Sequence, residues 1–332
     1  MSEPFVSIVI PAYNCELTIF RVLTAALSQD FPQNHYEVIV ADDGSNDSTF
    51  DIVKSFKPVK CFQQKNAGPA AARNRGFKES KGEVVFFTDS DCIPEKDWIK
   101  TAVKHLHDPA IAVVCGSYGI ANDTHILARC IHKEILFRHR RRMPEYPSSF
   151  GSYNFAVRRK VFEEAGGFNE DYPNASGEDN DLSYKILSHG YKIYFERNAI
   201  VNHFHPENIS KYLKEQFRHG FWRVKMYKDH PAMARGDDYT FWKDIVEPAI
   251  VLVAAGSMGL AWGGWEWGQC VALDTLLVLL IIEFFYGFLM TKNTFETLVF
   301  GCVMFFRSFA RTLGFCCGLP VFCLNFPAKK VK

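Results

Sequence analysis

Several short signatures of chemistry are missing from this 332-residue chain. It has no Gly-x-Gly-x-x-Gly, no phosphate loop ending in Gly-Lys-Ser/Thr and no His-Glu-x-x-His, so a dinucleotide fold, a P-loop NTPase and a zinc protease all lose support. It lacks a charge excess: 38 basic residues face 37 acidic ones, and overall charge gives no pointer to nucleic acid. It lacks any Cys-x-x-Cys unit. Its ten cysteines are scattered, with five in the apolar tail, which favours a reduced, cytosol-facing protein over a disulfide framework. No basic region precedes an apolar stretch at the N-terminus, and Val6–Ile10 is too short for a signal core.

What the chain does have is a set of short apolar runs that end in acidic residues. Val38–Ala41 runs into Asp42-Asp43, and Val84–Thr88 runs into Asp89-Ser90-Asp91. Runs of this kind read as buried parallel strands whose carboxyl ends carry charge, and open α/β sheets place their ligands there. Val6–Ile10, Glu37–Ala41, Val59–Phe62 and Glu83–Thr88 read as extended pieces. Between them, Leu17–Ser28 offers Leu17, Phe20, Leu23, Thr24 and Leu27 as one helix face, and Pro69 suits the first turn of a helix reaching to Ser80. The alternation predicts right-handed βαβ units and a parallel sheet. Two carboxylates one residue apart at such an edge suit a divalent ion, and that ion suits a diphosphate.

The last third is different. Phenylalanine is abundant, at 30 copies. Pro248–Trp265 carries no charge, Trp267–Met290 carries only Asp274 and Glu283, and Leu298–Phe326 carries only Arg307 and Arg311. A membrane crossing needs about 20 mostly apolar residues, so each stretch is near that length, and the alternative is a buried helical hairpin. The tail Lys329-Lys330-Val331-Lys332 favours the cytoplasmic side. Both ends inside require an even number of crossings, so either one of the three stretches is interfacial or the tail rule fails here. Arg307 and Arg311 share a helix face and need partners there. Glu283, Asp274 or the headgroup level are the options.

Five strings in order carry a resemblance. They are Val6–Asn14 (VSIVIPAYN), Asp42-Asp43-Gly44-Ser45, Asn66–Asn74 (NAGPAAARN), Asp89-x-Asp91 and Gly177–Leu182 (GEDNDL). As a set, over about residues 5 to 222, they resemble the family 2 glycosyltransferases. The resemblance implies a GT-A fold, an α/β architecture with a mixed, mostly parallel central sheet, here followed by an α-helical membrane region. It implies a nucleoside-diphosphate sugar donor, Mg2+ or Mn2+, and inversion at the anomeric carbon. By position, Pro11, Tyr13 and Asp43 would contact nucleobase and ribose, Arg73 would lie close to the nucleotide, and Asp91 with Asp89 would hold the metal. Asp179 would be the base that takes the acceptor proton, with Glu178 or Asp181 orienting the acceptor. Acidic residues in the first turn of a helix from Asp181 to Ser188 are the structural alternative.

His203 and His205 alternate along an extended run, which points both to one face. One of them, His203 by preference, is a candidate third metal ligand. Gln216–Trp222 resembles the region where processive members carry Gln-x-x-Arg-Trp, but the spacing differs, and this argues against polymer synthesis while leaving Arg218 a diphosphate contact. Arg138–Arg142 is either a solvated face or a patch for anionic headgroups or a lipid-linked phosphate.

The expected layout is a catalytic domain over 1–225, a linker or interfacial helix over 226–245, membrane helices over 246–326 and a basic tail over 327–332. The expected activity is transfer of one sugar from a UDP-sugar, with GDP- and dTDP-sugars also open, to a lipid-linked or nascent saccharide acceptor. The catalytic domain would face the cytoplasm, in envelope or exopolysaccharide synthesis. A processive synthase and a non-catalytic nucleotide-binding membrane protein are the rivals.

Overall fold

The computed structural model describes residues 3–172, 177–231, 238, 242–291 and 293–324. The basic tail and most of the residues between Pro231 and Trp242 lie outside them. The chain forms two compact units, Met1–Asn122 with Arg138–Phe204, and Asp123–Phe137 with His205–Lys332.

In chain order the elements are β1 (Val6–Ala12), α1 (Ile19–Ala26), β2 (Tyr36–Asp42), α2 (Thr49–Ser55), β3 (Val59–Gln63), α3 (Pro69–Glu79) and β4 (Val84–Thr88). Then come β5 (Cys92–Pro94), α4 (Trp98–Val103), β6 (Ile111–Ile120), α5 (Ile126–Arg141), β7 (Asn154–Arg158), α6 (Arg159–Glu164), α7 (Glu178–Ser188) and β8 (Lys192–His203). Four helices follow: α8 (Ile209–Asp229), α9 (Trp242–Trp262), α10 (Gly268–Met290) and α11 (Thr294–Cys323).

The first unit is built on one sheet with strand order β3-β2-β1-β4-β7-β6-β8-β5. The ladders β1/β2, β1/β4, β2/β3 and β6/β8 are parallel, and β4/β7, β6/β7 and β5/β8 are antiparallel. The sheet is therefore mixed and mostly parallel, as the resemblance implies. β1 and β4 are buried along their whole length, which is why both are mostly apolar, with only Ser7 and Thr88 polar, instead of alternating. From β1 the chain winds outward through β2 to β3, then returns to place β4 on the other side of β1. The loops after β1 and β4 consequently diverge. Such a switch point leaves a crevice at the carboxyl ends of the strands.

α1 corrects one expected face. It buries Ile19, Val22, Leu23 and Ala26, while Leu17 is 89% and Phe20 58% exposed. The spacing i, i+3, i+4, i+7 from Ile19 is wholly apolar, whereas the expected face included Thr24.

In the second unit α9, α10 and α11 are each long and apolar enough to cross a membrane. At about 1.5 Å per residue the shortest spans about 31 Å, against a hydrocarbon core of about 30 Å. Their outer faces expose Leu252, Leu260, Leu277, Ile281, Phe288 and Leu313. Leu127, Cys130, Ile131, Tyr212, Phe300, Val303 and Met304 form an inner apolar cluster that draws in α5 and α8.

The charges of this unit find partners other than those expected. α9 starts at Trp242, before the uncharged stretch, and so brings Lys243, Asp244 and Glu247 into the helix. Arg307 is fully buried, with Nη1 2.5 Å from Glu134 Oε1 and Nη2 3.0 Å from Glu247 Oε1. Arg311 reaches Asp244 at 2.8 Å and Gln216 at 2.7 Å. Glu283 pairs with Lys243. Paired in this way the charges stay buried without facing lipid alone.

α8 and α11 touch backbone to backbone. A Cβ on Gly314 would stand 2.0 Å from Phe217 O, and one on Gly220 would stand 2.1 Å from Arg311 O. A side chain at Gly314 must push the helices apart. Gly314→Leu is expected to cost at least about 2 kcal/mol, read as a lower unfolding midpoint in detergent. Gly256→Leu on α9, where nothing lies within 4 Å, is expected to be neutral. Equal midpoints for the two variants would contradict this packing.

Candidate active site

The crevice is assembled by hydrogen bonds between loops that the sheet brings together. Asp43 N donates to Ala12 O at 2.8 Å, Asn14 N to Ser45 Oγ at 3.0 Å and Asn46 N to Asn14 Oδ1 at 2.8 Å. These contacts lace the loop after β1 to the loop after β2. Asp43 is only 3% exposed. Its Oδ1 accepts from Ala67 N at 2.9 Å and Gln64 Nε2 at 2.7 Å, and its Oδ2 from Gly68 N at 2.8 Å. One carboxylate thus joins its own string to Asn66–Asn74, and about one of its four lone-pair sites is left for a ligand. Tyr13 is 48% exposed and open to a base or ribose. Pro11 is buried within β1 opposite Ala41. Its missing N–H faces no β4 partner, because that ladder ends at Val9.

At the end of β4 the two aspartates have different neighbours. Asp91 Oδ2 lies 3.4 Å from His203 Nε2. Strand register causes this. β5 pairs with the end of β8 so that Cys92 stands opposite His203, and Phe204 N donates to Asp91 O at 2.9 Å. The strand ends at His203. His205 belongs to the second unit, where its Nε2 is 3.4 Å from His132 Nδ1.

Ligand atoms of Asp91, Cys92 and His203 all lie within 4.8 Å of one another. A carboxylate oxygen and an imidazole nitrogen 3.4 Å apart suit neighbouring positions on an ion with bonds of about 2.1 Å. Cys92 is a poorer donor for such an ion. Burial, with Asp91 and Asp89 nearby, pushes its thiol well above the usual range and keeps it protonated. The carboxylate oxygen suits Mg2+ or Mn2+, and the imidazole nitrogen favours Mn2+ of the two. Beside them Tyr118, at the end of β6, has its ring 5.1 Å from that of His203 and stacked at 3.6 Å on Tyr153. Sequence reading missed this aromatic stack, since an aromatic residue near a strand end is usually core.

Asp89 has a protein partner as well. Its Oδ1 accepts from Arg73 Nη2 at 2.7 Å, and Arg73 Nη1 donates to Glu178 Oε1 at 2.9 Å. Arg73 is buried and ties the two acids together. Burial opposes its charge, but Asp89 and Glu178 outweigh that and hold its pKa above the ordinary value.

α7 starts at Glu178, earlier than the sequence suggested, because Gly177 at φ 132° takes a backbone conformation that a side chain would disfavour. Successive residues in a helix point about 100° apart, so the adjacent acids part company. Glu178 is 1% exposed, gripped by Arg73 and by its Gly177 N–H at 3.1 Å. It is placed to hold Arg73. Asp181 is also buried and pairs with Lys185 at 2.6 Å along the helix. Asp179 is half-buried, and its carboxyl is raised to about 7, first by burial and then by Glu178. A carboxylate in that range is suited to taking a proton near neutrality. Arg218 lies on α8 in the second unit. In the basic stretch, His139 is buried and bonded to Ser117 Oγ at 3.0 Å, while Arg140, Arg141 and Arg142 are exposed.

Residues 7–166 match the family described as glycosyl transferase family 2. Glycosyltransferase AglE of Haloferax volcanii is 29% identical over 231 residues, which are 68% of this chain and 74% of that protein. Probable glycosyltransferase YdaM of Bacillus subtilis is 30% identical over 259 residues, 74% of this chain but only 58% of that protein. Among solved structures, a mannosyltransferase from Pyrobaculum calidifontis in complex with GDP-Man and Mn2+ is similar in fold, with a TM-score of 0.60 and 20% identity over 98% of this chain and 89% of that one. With its sheet order, its acidic strand ends and three apolar helices that fit a membrane anchor, the chain carries a family 2 glycosyltransferase domain of the GT-A fold.

Proposed function

We propose that the chain is a metal-dependent, inverting glycosyltransferase that moves a single sugar from a nucleoside-diphosphate sugar to a lipid-linked or nascent saccharide acceptor. A UDP-sugar is the first choice of donor. The GDP-mannose bound by the mannosyltransferase of similar fold makes a GDP-sugar the second. The reaction would run at the cytoplasmic face of a membrane, in envelope or exopolysaccharide synthesis, with α9, α10 and α11 holding the enzyme beside a lipid-borne acceptor. The observation that carries the reading is the convergence of Asp91 and His203 at the carboxyl end of the sheet.

Tyr13 and the backbone fixed by Asp43 would hold base and ribose. Asp91 and His203 would hold Mg2+ or Mn2+, which supplies positive charge to a leaving diphosphate. Asp179 would accept the acceptor hydroxyl proton while the new C–O bond forms at the anomeric carbon. The bond to the phosphate oxygen breaks on the opposite face, and its electron pair leaves with the diphosphate. A single displacement of this kind inverts the centre.

The test is release of nucleoside diphosphate by the full chain in detergent, with UDP-glucose, UDP-N-acetylglucosamine, UDP-galactose and GDP-mannose, each with Mn2+ or with EDTA. Release from one donor, abolished by EDTA, is the expected result. No release above background from any donor would overturn the reading. Product length separates the rivals, since one added sugar supports single transfer and a ladder supports a synthase.

A further inference from the structure

A buried arginine that holds two acids from different parts of the chain is the strongest feature that the proposed mechanism leaves unused. We propose that Arg73 is a positioning residue that couples the donor end of the site to the acceptor end, holding Asp89 and Glu178 at once and so fixing where α7 begins and where Asp179 sits. The inference rests on the glycosyltransferase reading above and deepens it.

The geometry is specific. Arg73 projects from α3, whose first turn is set by Gly68 N–H on Asp43 Oδ2. One of its terminal nitrogens is on Asp89 at 2.7 Å, at the end of β4, and the other on Glu178 at 2.9 Å, in the first turn of α7. Its guanidinium also lies 5.3 Å from the centre of the Phe168 ring. A planar fork with two donors fixes both acids at once, which a lysine cannot reproduce. Asp179 follows Glu178 directly, so the orientation of Glu178 sets that of Asp179.

Charge links the same residues. Glu178, on its own helix, and Arg73, from α3, act on Asp179 in opposite senses, and the N–H groups of Asn180 and Ser152 favour its ionised form. Removing Glu178's charge should therefore make Asp179 easier to ionise. Removing Arg73's charge should make it harder.

The experiment is a pH–rate profile of sugar transfer by the full chain, using the donor found in the release assay, for wild type, Glu178→Gln, Arg73→Lys and Arg73→Gln. Glu178→Gln keeps the shape and the Arg73 hydrogen bond, so it remains informative if the Arg73 variants fail to fold. The acid limb is expected near pH 7 for wild type, lower by about one pH unit in Glu178→Gln and higher by a similar amount in Arg73→Gln. Arg73→Lys is expected to keep the wild-type limb but to lose rate about tenfold or more through misplacement. A wild-type protein that transfers, with Glu178→Gln slower but its limb unmoved, would reduce Arg73 to a fold-stabilising ion pair and overturn the coupling. A wild-type protein with no transfer at any pH would remove the glycosyltransferase reading itself, and the coupling with it.

Discussion

Asp179→Asn is expected to lower sugar transfer by about 10²–10⁴-fold while leaving nucleoside-diphosphate binding within about twofold of wild type. Asparagine keeps the shape of the side chain but cannot take a proton. Asp179 stands in the first turn of α7, apart from the Asp43 and Asp91 contacts that the donor would use. Folding should not suffer, because the substitution removes a charge that burial and Glu178 already disfavour. The sign of the pH effect follows from the same environment. A base must be ionised, and this one is raised to about 7, so wild-type transfer should fall as pH drops below that value. The variant should lose that limb and keep a flat, low rate. Kinetics of the two proteins from pH 5.5 to 9, with calorimetric titration of UDP in Mn2+, check both halves. Transfer by Asp179→Asn at the wild-type rate would remove Asp179 from the base role.

The second large effect is expected at Asp91. Asp91→Asn should lower metal-dependent turnover at least about 10³-fold, equivalent to about 4 kcal/mol, and weaken Mn2+-dependent UDP binding with it. The amide retains one weak oxygen donor and loses the charge, so His203 would be left as the stronger ligand of the pair. His203→Ala should give a smaller loss of the same kind, since the carboxylate remains. The signature is that both variants need more Mn2+ to reach half-maximal rate, whereas Asp179→Asn does not. Unchanged Mn2+ dependence in Asp91→Asn would place the ion elsewhere.

The parts of this molecule legible in its sequence were those set by local pattern. Apolar runs placed β1, β2 and β4, and acidic residues marked the carboxyl ends of β2 and β4, because burial on both faces and a wet strand end leave strong compositional marks. Pro69 marked the start of α3 for an equally local reason. What stayed hidden was set by partners distant in sequence. Arg307 meets Glu134, 173 residues away, and no spacing rule could have selected that acid over Glu283. Glu178 and Asp179 look equivalent side by side, and only the rotation of a helix turns one inward to Arg73. His203 was a candidate from its strand, but its approach to Asp91 comes from the register of a three-residue strand that composition does not reveal. The inner face of α1 was misread because two overlapping sets of apolar residues share Leu23, and packing chose the one without a threonine.

The claim beneath all of this is that Asp91 and His203 together hold a divalent ion against a nucleotide. A structure of the full chain with Mn2+ and the diphosphate of its donor, recorded at the manganese absorption edge, tests it most directly. One anomalous peak within bonding distance of Asp91 and His203, touching a diphosphate oxygen, is the predicted result. A bound diphosphate with no peak there, or with its manganese held by other side chains, would contradict the account.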